Sequence, residues 1–209
     1  MFTLSSNASI MAGGELWSAS IDSEASSSTT TTDNESVDNM PDFQASATIF
    51  PPNTTINTLS YSSLPSLLWS GGLFSTISQV GLFQFKNIMD AYAAATTPAK
   101  KSTLRSGESY YYIMLIGAAS AHRGKGLAPA LIRKLQERAQ KDGKPIWLEA
   151  SNLGARKVYL KVGFEDLGEI RLGKGECGTD GEVASGEEAV GVPMWPMVWW
   201  PEGYVREAA

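Results

Sequence analysis

The sequence of 209 residues holds one cysteine, Cys177, and one histidine, His122. A lone cysteine excludes an internal disulfide framework and any cysteine-based zinc finger. With one histidine, a metal site would have to come almost entirely from carboxylates, so none is expected. No lysine or arginine precedes Lys86, so the N-terminus lacks the basic lead of a signal peptide. A soluble, reducing, cytoplasmic setting is the expectation. Long apolar runs are also scarce: Gln79, Gln84, Lys86 and Asp90 interrupt each stretch of membrane-spanning length, so no membrane partner is expected. The hydrophobic share of 43% is too high for a wholly disordered chain, and 22.4 kDa suits one domain over residues 1–209.

What charge there is falls unevenly. Residues 1–85 carry seven acids and no basic side chain, residues 86–161 carry fourteen basic against five acidic, and residues 162–209 carry three against ten. A basic middle third would raise the local concentration of an anionic ligand. A lysine-rich solvated helix face explains the same count. Nucleic acid is disfavoured as a partner by the acidic flanks and the net charge of −5.

Glu15–Ile21 and Phe43–Phe50 read as short strands bounded by turn formers. Between them, residues 23–36 hold nine serines and threonines in fourteen positions with no large apolar side chain. Such a segment buries too little surface to offset its ordering entropy, so residues 23–41 are expected to be a disordered insertion. Leu64 to Ala95 shows apolar residues at helical spacing, broken by Gly71-Gly72 and Gly81, and suggests a helical layer facing the core.

From residue 108 the signals sharpen. Tyr110–Ala119 is a continuous apolar run, as expected of a strand covered on both faces. Leu127, Leu131, Leu135 and Ala139 repeat every four residues, with Pro129 in the first turn and Gly143 as the stop, so the spacing predicts a helix over about 127–141. Pro145–Ala150 is the next strand; Ser151 or Asn152 can cap a second helix that ends before Gly163. Phe164–Leu172 and Met194–Trp200 complete a strand–helix–strand–helix–strand–strand order.

Between the apolar strand and the first helix stands His122-Arg123-Gly124-Lys125-Gly126-Leu127-Ala128. Glycines at such a junction let main-chain amides approach an anion with no Cβ in the way, and the helix N-terminus adds partial positive charge. The spacing is neither that of a Walker loop nor that of a dinucleotide fingerprint. Alone, it also fits a tight connection with no ligand. Asn152, Ala155 and Tyr159, spaced three and four apart, then share one face of the second helix.

Arg123-x-x-Gly126-x-Ala128 on a strand–loop–helix, followed by Asn152, Tyr159 and Gly163-Phe164, resembles the GNAT superfamily of N-acetyltransferases over about residues 108–172. The Leu172–Gly175 run and the Gly191–Trp195 segment resemble fungal members of unknown substrate. The resemblance implies an α/β fold: a twisted mixed sheet with helices on both faces, here apparently without the family's usual first strand and helix. It implies acetyl-CoA as cosubstrate and direct attack by a primary amine in a ternary complex. The acceptor would be a small-molecule or peptide amine. Main-chain groups of Ile116, Gly117 and Ala118 would meet the pantetheine arm, and residues 124–129 (Gly124, Lys125, Gly126, Leu127, Ala128, Pro129), beside Arg123, the pyrophosphate. Asn152 would bond cofactor or acceptor, Tyr159 would act as general acid at the thioester sulfur, and Glu149 is the candidate base. The oxyanion would be met by a main-chain amide of residues 115–118, at a kink where ladder pairing fails. The other reading is a GNAT-fold module that binds the coenzyme without turnover. An exposed early sheet edge would invite a second copy of the chain, giving a homodimer.

Overall fold

The computed structural model describes residues 2–8, 14–21, 44–54 and 82–206. The strands are β1 (Phe2–Ala8), β2 (Glu15–Ile21), β3 (Ala45–Phe50), β4 (Tyr111–Ala118), β5 (Ile146–Ala150), β6 (Glu165–Asp166), β7 (Ile170–Leu172) and β8 (Val192–Trp199). The helices are α1 (Leu82–Thr103), α2 (Leu127–Asp142) and α3 (Leu153–Lys161). The expected insertion at 23–41 and most of the helical stretch from Leu64 lie outside the described residues.

The strands form one mixed sheet in the order β1-β2-β3-β4-β5-β8-β6, with β7 also paired to β8. All pairs are antiparallel except β4–β5, which the α2 crossover makes parallel. The expected α/β architecture with helices on both faces is present. One correction falls at its start: β1 precedes the strand at Glu15, where the resemblance implied a missing first strand. Its sequence, FTLSSNA, is mostly small and polar and gives little periodic signal, yet it pairs with β2 through the main chain from Phe2↔Ile21 to Ala8↔Glu15. A second correction falls at 164–172, expected as one strand. Gly168 has φ 98 and donates its N–H to the Asp166 side chain at 2.9 Å, splitting the segment into β6 and β7.

Strand alternation sends Tyr111, Ile113, Ile146, Leu148 and Ala150 to one face and Tyr112 and Trp147 to the other. The first face is covered by α2 and α3. Leu127, Leu131, Leu135 and Ala139 of α2 are all buried, and each large side chain contributes about 1.5–3 kcal/mol by leaving water. Gly143, with φ 61, closes α2, and the next amide, that of Lys144, donates back to Ala139 at 2.9 Å. Arg138 of α2 pairs with Glu15 of β2 at 2.6 Å, tying the helix to the early strands. The second face carries α1, which runs on past Ala95 through Pro98 to Thr103. Pro98 cannot donate its share of the helical ladder.

Candidate functional site

The site begins where β4 loses its neighbour. Thr48 pairs with Leu115 and Ile49 with Ile113, so Met114 is one residue too many and forms a bulge. On the other side β4 meets β5 at only two positions, Tyr111↔Ile146 and Tyr112↔Trp147. Beyond them the parallel strands part, and Met114 and Leu115 are 45% and 65% exposed. The end of β4 stays with β3, because the Ala119 amide donates to the Gln44 carbonyl at 2.9 Å. The outcome is a gap between β4 and β5, edged on the β4 side by the main chain of Ile116, Gly117 and Ala118. The break in pairing stands at Met114, next to the 115–118 stretch for which a kink was expected.

A single 3₁₀ turn, Ser120–His122, leads from that gap into the glycine junction. Gly124 and Gly126 take φ 77 and 81, values that side chains with a Cβ rarely adopt. Open space surrounds both Cα positions, so these glycines serve backbone shape and access rather than tight internal packing. Gly126 caps α2 without a side chain, leaving the first-turn amides of Leu127 and Ala128 without a capping acceptor, and Pro129 has no amide to satisfy. Arg123 and Lys125 are exposed here; the Lys125 ammonium lies 3.4 Å from His122 Nδ1.

Asn152 caps α3. Its Oδ1 accepts from the Ala155 amide at 2.9 Å, while Nδ2 makes only a long contact of 3.4 Å to Ser151. Its oxygen thus holds the helix end with one lone pair, and the amide NH₂ is turned toward no strong acceptor among the described residues. Tyr159 is buried against Phe164, ring centres 5.9 Å apart, and its hydroxyl makes no hydrogen bond with the described residues. Burial pushes its phenol up, so it keeps its proton across the neutral range.

Glu149 differs from expectation. It shares the α1 face with Tyr112 and Trp147, across the sheet from Tyr159, and its side chain is 2% exposed. Four donors surround the carboxylate. Tyr92 and Tyr112 donate to Oε2 at 2.7 and 2.9 Å, Trp147 Nε1 donates to Oε1 at 2.7 Å, and the Lys100 ammonium stands 3.4 Å from Oε1. Burial, and then the negative charge of Glu149, push both tyrosine hydroxyls well up. A carboxylate so filled accepts no further proton donor unless one of the four withdraws. Sequence reasoning missed Tyr92, Lys100, Tyr112 and Trp147. The one available signal was the period-two placement of Trp147 and Glu149 on a buried strand, which puts the carboxylate beside the indole.

The profile of the Acetyltransferase (GNAT) family matches residues 80–164. An uncharacterised N-acetyltransferase of Schizosaccharomyces pombe is 28% identical over 38% of this chain and 32% of its own length. N-acetyltransferase 8F1 of Rattus norvegicus is 36% identical over 31% of this chain and 30% of its own. The chain thus spans about a third of the length of these curated relatives. The crystal structure of an apo agmatine N-acetyltransferase variant superposes over 88% of this chain and 75% of that one, with TM-score 0.51 and 13% identity, a likeness of fold alone.

Proposed function

We propose, from the match of residues 80–164 to the Acetyltransferase (GNAT) family, that this chain transfers an acetyl group from acetyl-CoA to a primary amine. The observation that carries the reading is the gap between β4 and β5 leading straight into the glycine junction at the head of α2. The residues fit the cosubstrate. The Gly124–Pro129 main chain, with uncapped amides and open space where Cβ atoms would stand, suits the diphosphate, helped by the exposed Arg123 and Lys125. Ile116, Gly117 and Ala118 offer an extended main-chain edge to the amide-bearing pantetheine arm. When bound, acetyl-CoA supplies a thioester carbonyl open to attack by a free amine.

An amine of pKa near 10 is neutral in only about one molecule in a thousand at pH 7, so its proton must be taken. Glu149 lies on β5 just past the last β4–β5 pair, and its engagement requires that a donor leave before it can serve. Tyr159 retains its proton and so suits a general acid. A phenol near 10 against a thiol near 8.5 makes that transfer uphill by about 2 kcal/mol, and burial of Tyr159 adds to the gap. The cost remains small beside the barrier lowering that enzymes supply. The amide of Asn152 is left to orient cosubstrate or acceptor.

One observation favours a second reading, a coenzyme-binding module without turnover: the four donors already seated on Glu149. Thiol release from acetyl-CoA with a panel of primary amines separates the two. Release dependent on an amine supports transfer; binding of acetyl-CoA without release for any amine supports the module. We place the whole of residues 1–209 in one domain. Among the described residues no helix is long and apolar enough to cross a membrane.

A further inference from the structure

The Lys100 ammonium has an unusual seat. It lies 4.9 Å from the ring centre of Tyr112, 5.7 Å from that of Trp147 and 5.9 Å from that of Tyr110, besides 3.4 Å from Glu149 Oε1. Three aromatic rings and one buried carboxylate around a single ammonium make a cation cage, with the rings' negative faces and the anion acting together. The cage is preformed. Trp147 is fully buried, Glu149 is fixed from beneath by the Tyr92 and Tyr112 hydroxyls, and those hydroxyls are 2.7 Å apart. Its occupant is the least fixed part: Lys100 arrives from α1 on a four-carbon stem and its side chain is 23% exposed. The cage also stands at the mouth of the gap, because Tyr112 and Trp147 form the last β4–β5 pair before the strands part.

We propose that this cage is a recognition site for primary alkylammonium ions, and that Lys100 fills it in cis as a stand-in for the acceptor. A butylammonium group has the chemistry of the lysine side chain, so any ligand that displaces Lys100 meets the same rings and the same carboxylate. Withdrawal of Lys100 also removes one of the four donors that keep Glu149 from accepting a proton. In naming the acceptor as the ligand, the inference rests on the acetyl-transfer reading; the cage itself does not.

The test is therefore run without acetyl-CoA. Ethylammonium chloride is titrated calorimetrically into the full chain and into Lys100→Ala, with tetramethylammonium chloride as the probe that lacks N–H donors. Lys100→Ala is expected to bind ethylammonium at least tenfold more tightly than the unmodified chain and to prefer it over tetramethylammonium. Adding Glu149→Gln to the variant is expected to abolish that gain. Equal affinity in the unmodified chain and Lys100→Ala overturns the proposal, and so does a gain that survives Glu149→Gln. If Lys100→Ala does not fold in plain buffer, its refolding yield is compared in ethylammonium, tetramethylammonium and sodium chlorides. Recovery in ethylammonium alone supports the cage; equal yields in all three overturn it. Failure here leaves acetyl-CoA binding untouched, whereas failure to bind acetyl-CoA removes the transferase reading and leaves the cage standing.

Discussion

The two faces of the sheet are built by different physics. The face under α2 and α3 is apolar: leucines repeat every four residues, helix ends are closed by glycines, and the polar ties, such as Arg138 to Glu15 and Tyr111 to Asp142, sit at its margin. The face under α1 holds a smaller apolar cluster around a buried carboxylate, two tyrosine hydroxyls, an indole N–H and an ammonium. The first face gains by area removed from water and tolerates no void. The second gains only while every polar atom has its partner, since an unmatched buried charge costs several kcal/mol. The difference separates a rigid wall that positions α2 from a face able to exchange one cation for another.

Four substitutions sharpen or break that contrast. The largest effect is expected on the apolar face. Leu135 is wholly buried, and Leu135→Ala should destabilise the fold by about 2–5 kcal/mol in denaturant titration. A loss below about 1 kcal/mol would show that α2 is not packed as described. On the other face, Tyr112→Phe changes volume little but removes a hydroxyl from a buried carboxylate. It should cost about 1.5–3 kcal/mol, and a neutral result would mean that the Tyr112 hydroxyl does not hold the Glu149 carboxylate as described. Tyr159→Phe, from the α3 side, should lower turnover tenfold or more, about 1.4 kcal/mol in barrier, with acetyl-CoA affinity nearly intact. Unchanged turnover would make Tyr159 a core aromatic and nothing else.

The smallest effect is expected at the margin. Burial works against the Glu15 carboxyl, yet the hydrogen bonds from Arg138 and Trp17 hold it below its usual range. A lowered folded-state value stabilises the fold above the unfolded value, near pH 4.3, and the contribution is lost as pH falls through the folded value. Glu15→Gln should therefore cost up to about 1 kcal/mol at pH 7, screened by solvent, and progressively less below pH 4. An equal cost at both ends of that range would mean that the pair contributes nothing through charge.

The apolar face was legible in the sequence because its signals are local. The four-residue repeat of α2, its stop at Gly143, the cap at Asn152 and the run of β4 each follow from neighbours in the chain. The glycine junction was legible for the same reason. The second face was not, because its members come from residues 92, 100, 110, 112, 147 and 149, and no periodicity links a helical lysine to a carboxylate some fifty residues on. Glu149 was recognised as a chemical residue, but its environment depends on α1 packing, which spacing does not encode. β1 was passed over because an edge strand of small polar residues is held by main-chain pairing, with little apolar pattern to betray it.

The account depends most on the amides between Gly124 and Pro129 gripping a diphosphate. Calorimetric titration of acetyl-CoA into the full chain tests this directly, with Gly124→Ala/Gly126→Ala as the comparison. The account predicts saturable binding well below millimolar concentration for the unmodified chain, and at least tenfold weaker binding once both left-handed glycines carry a Cβ. No retention of acetyl-CoA at millimolar concentration, or equal binding by the two proteins, would contradict it.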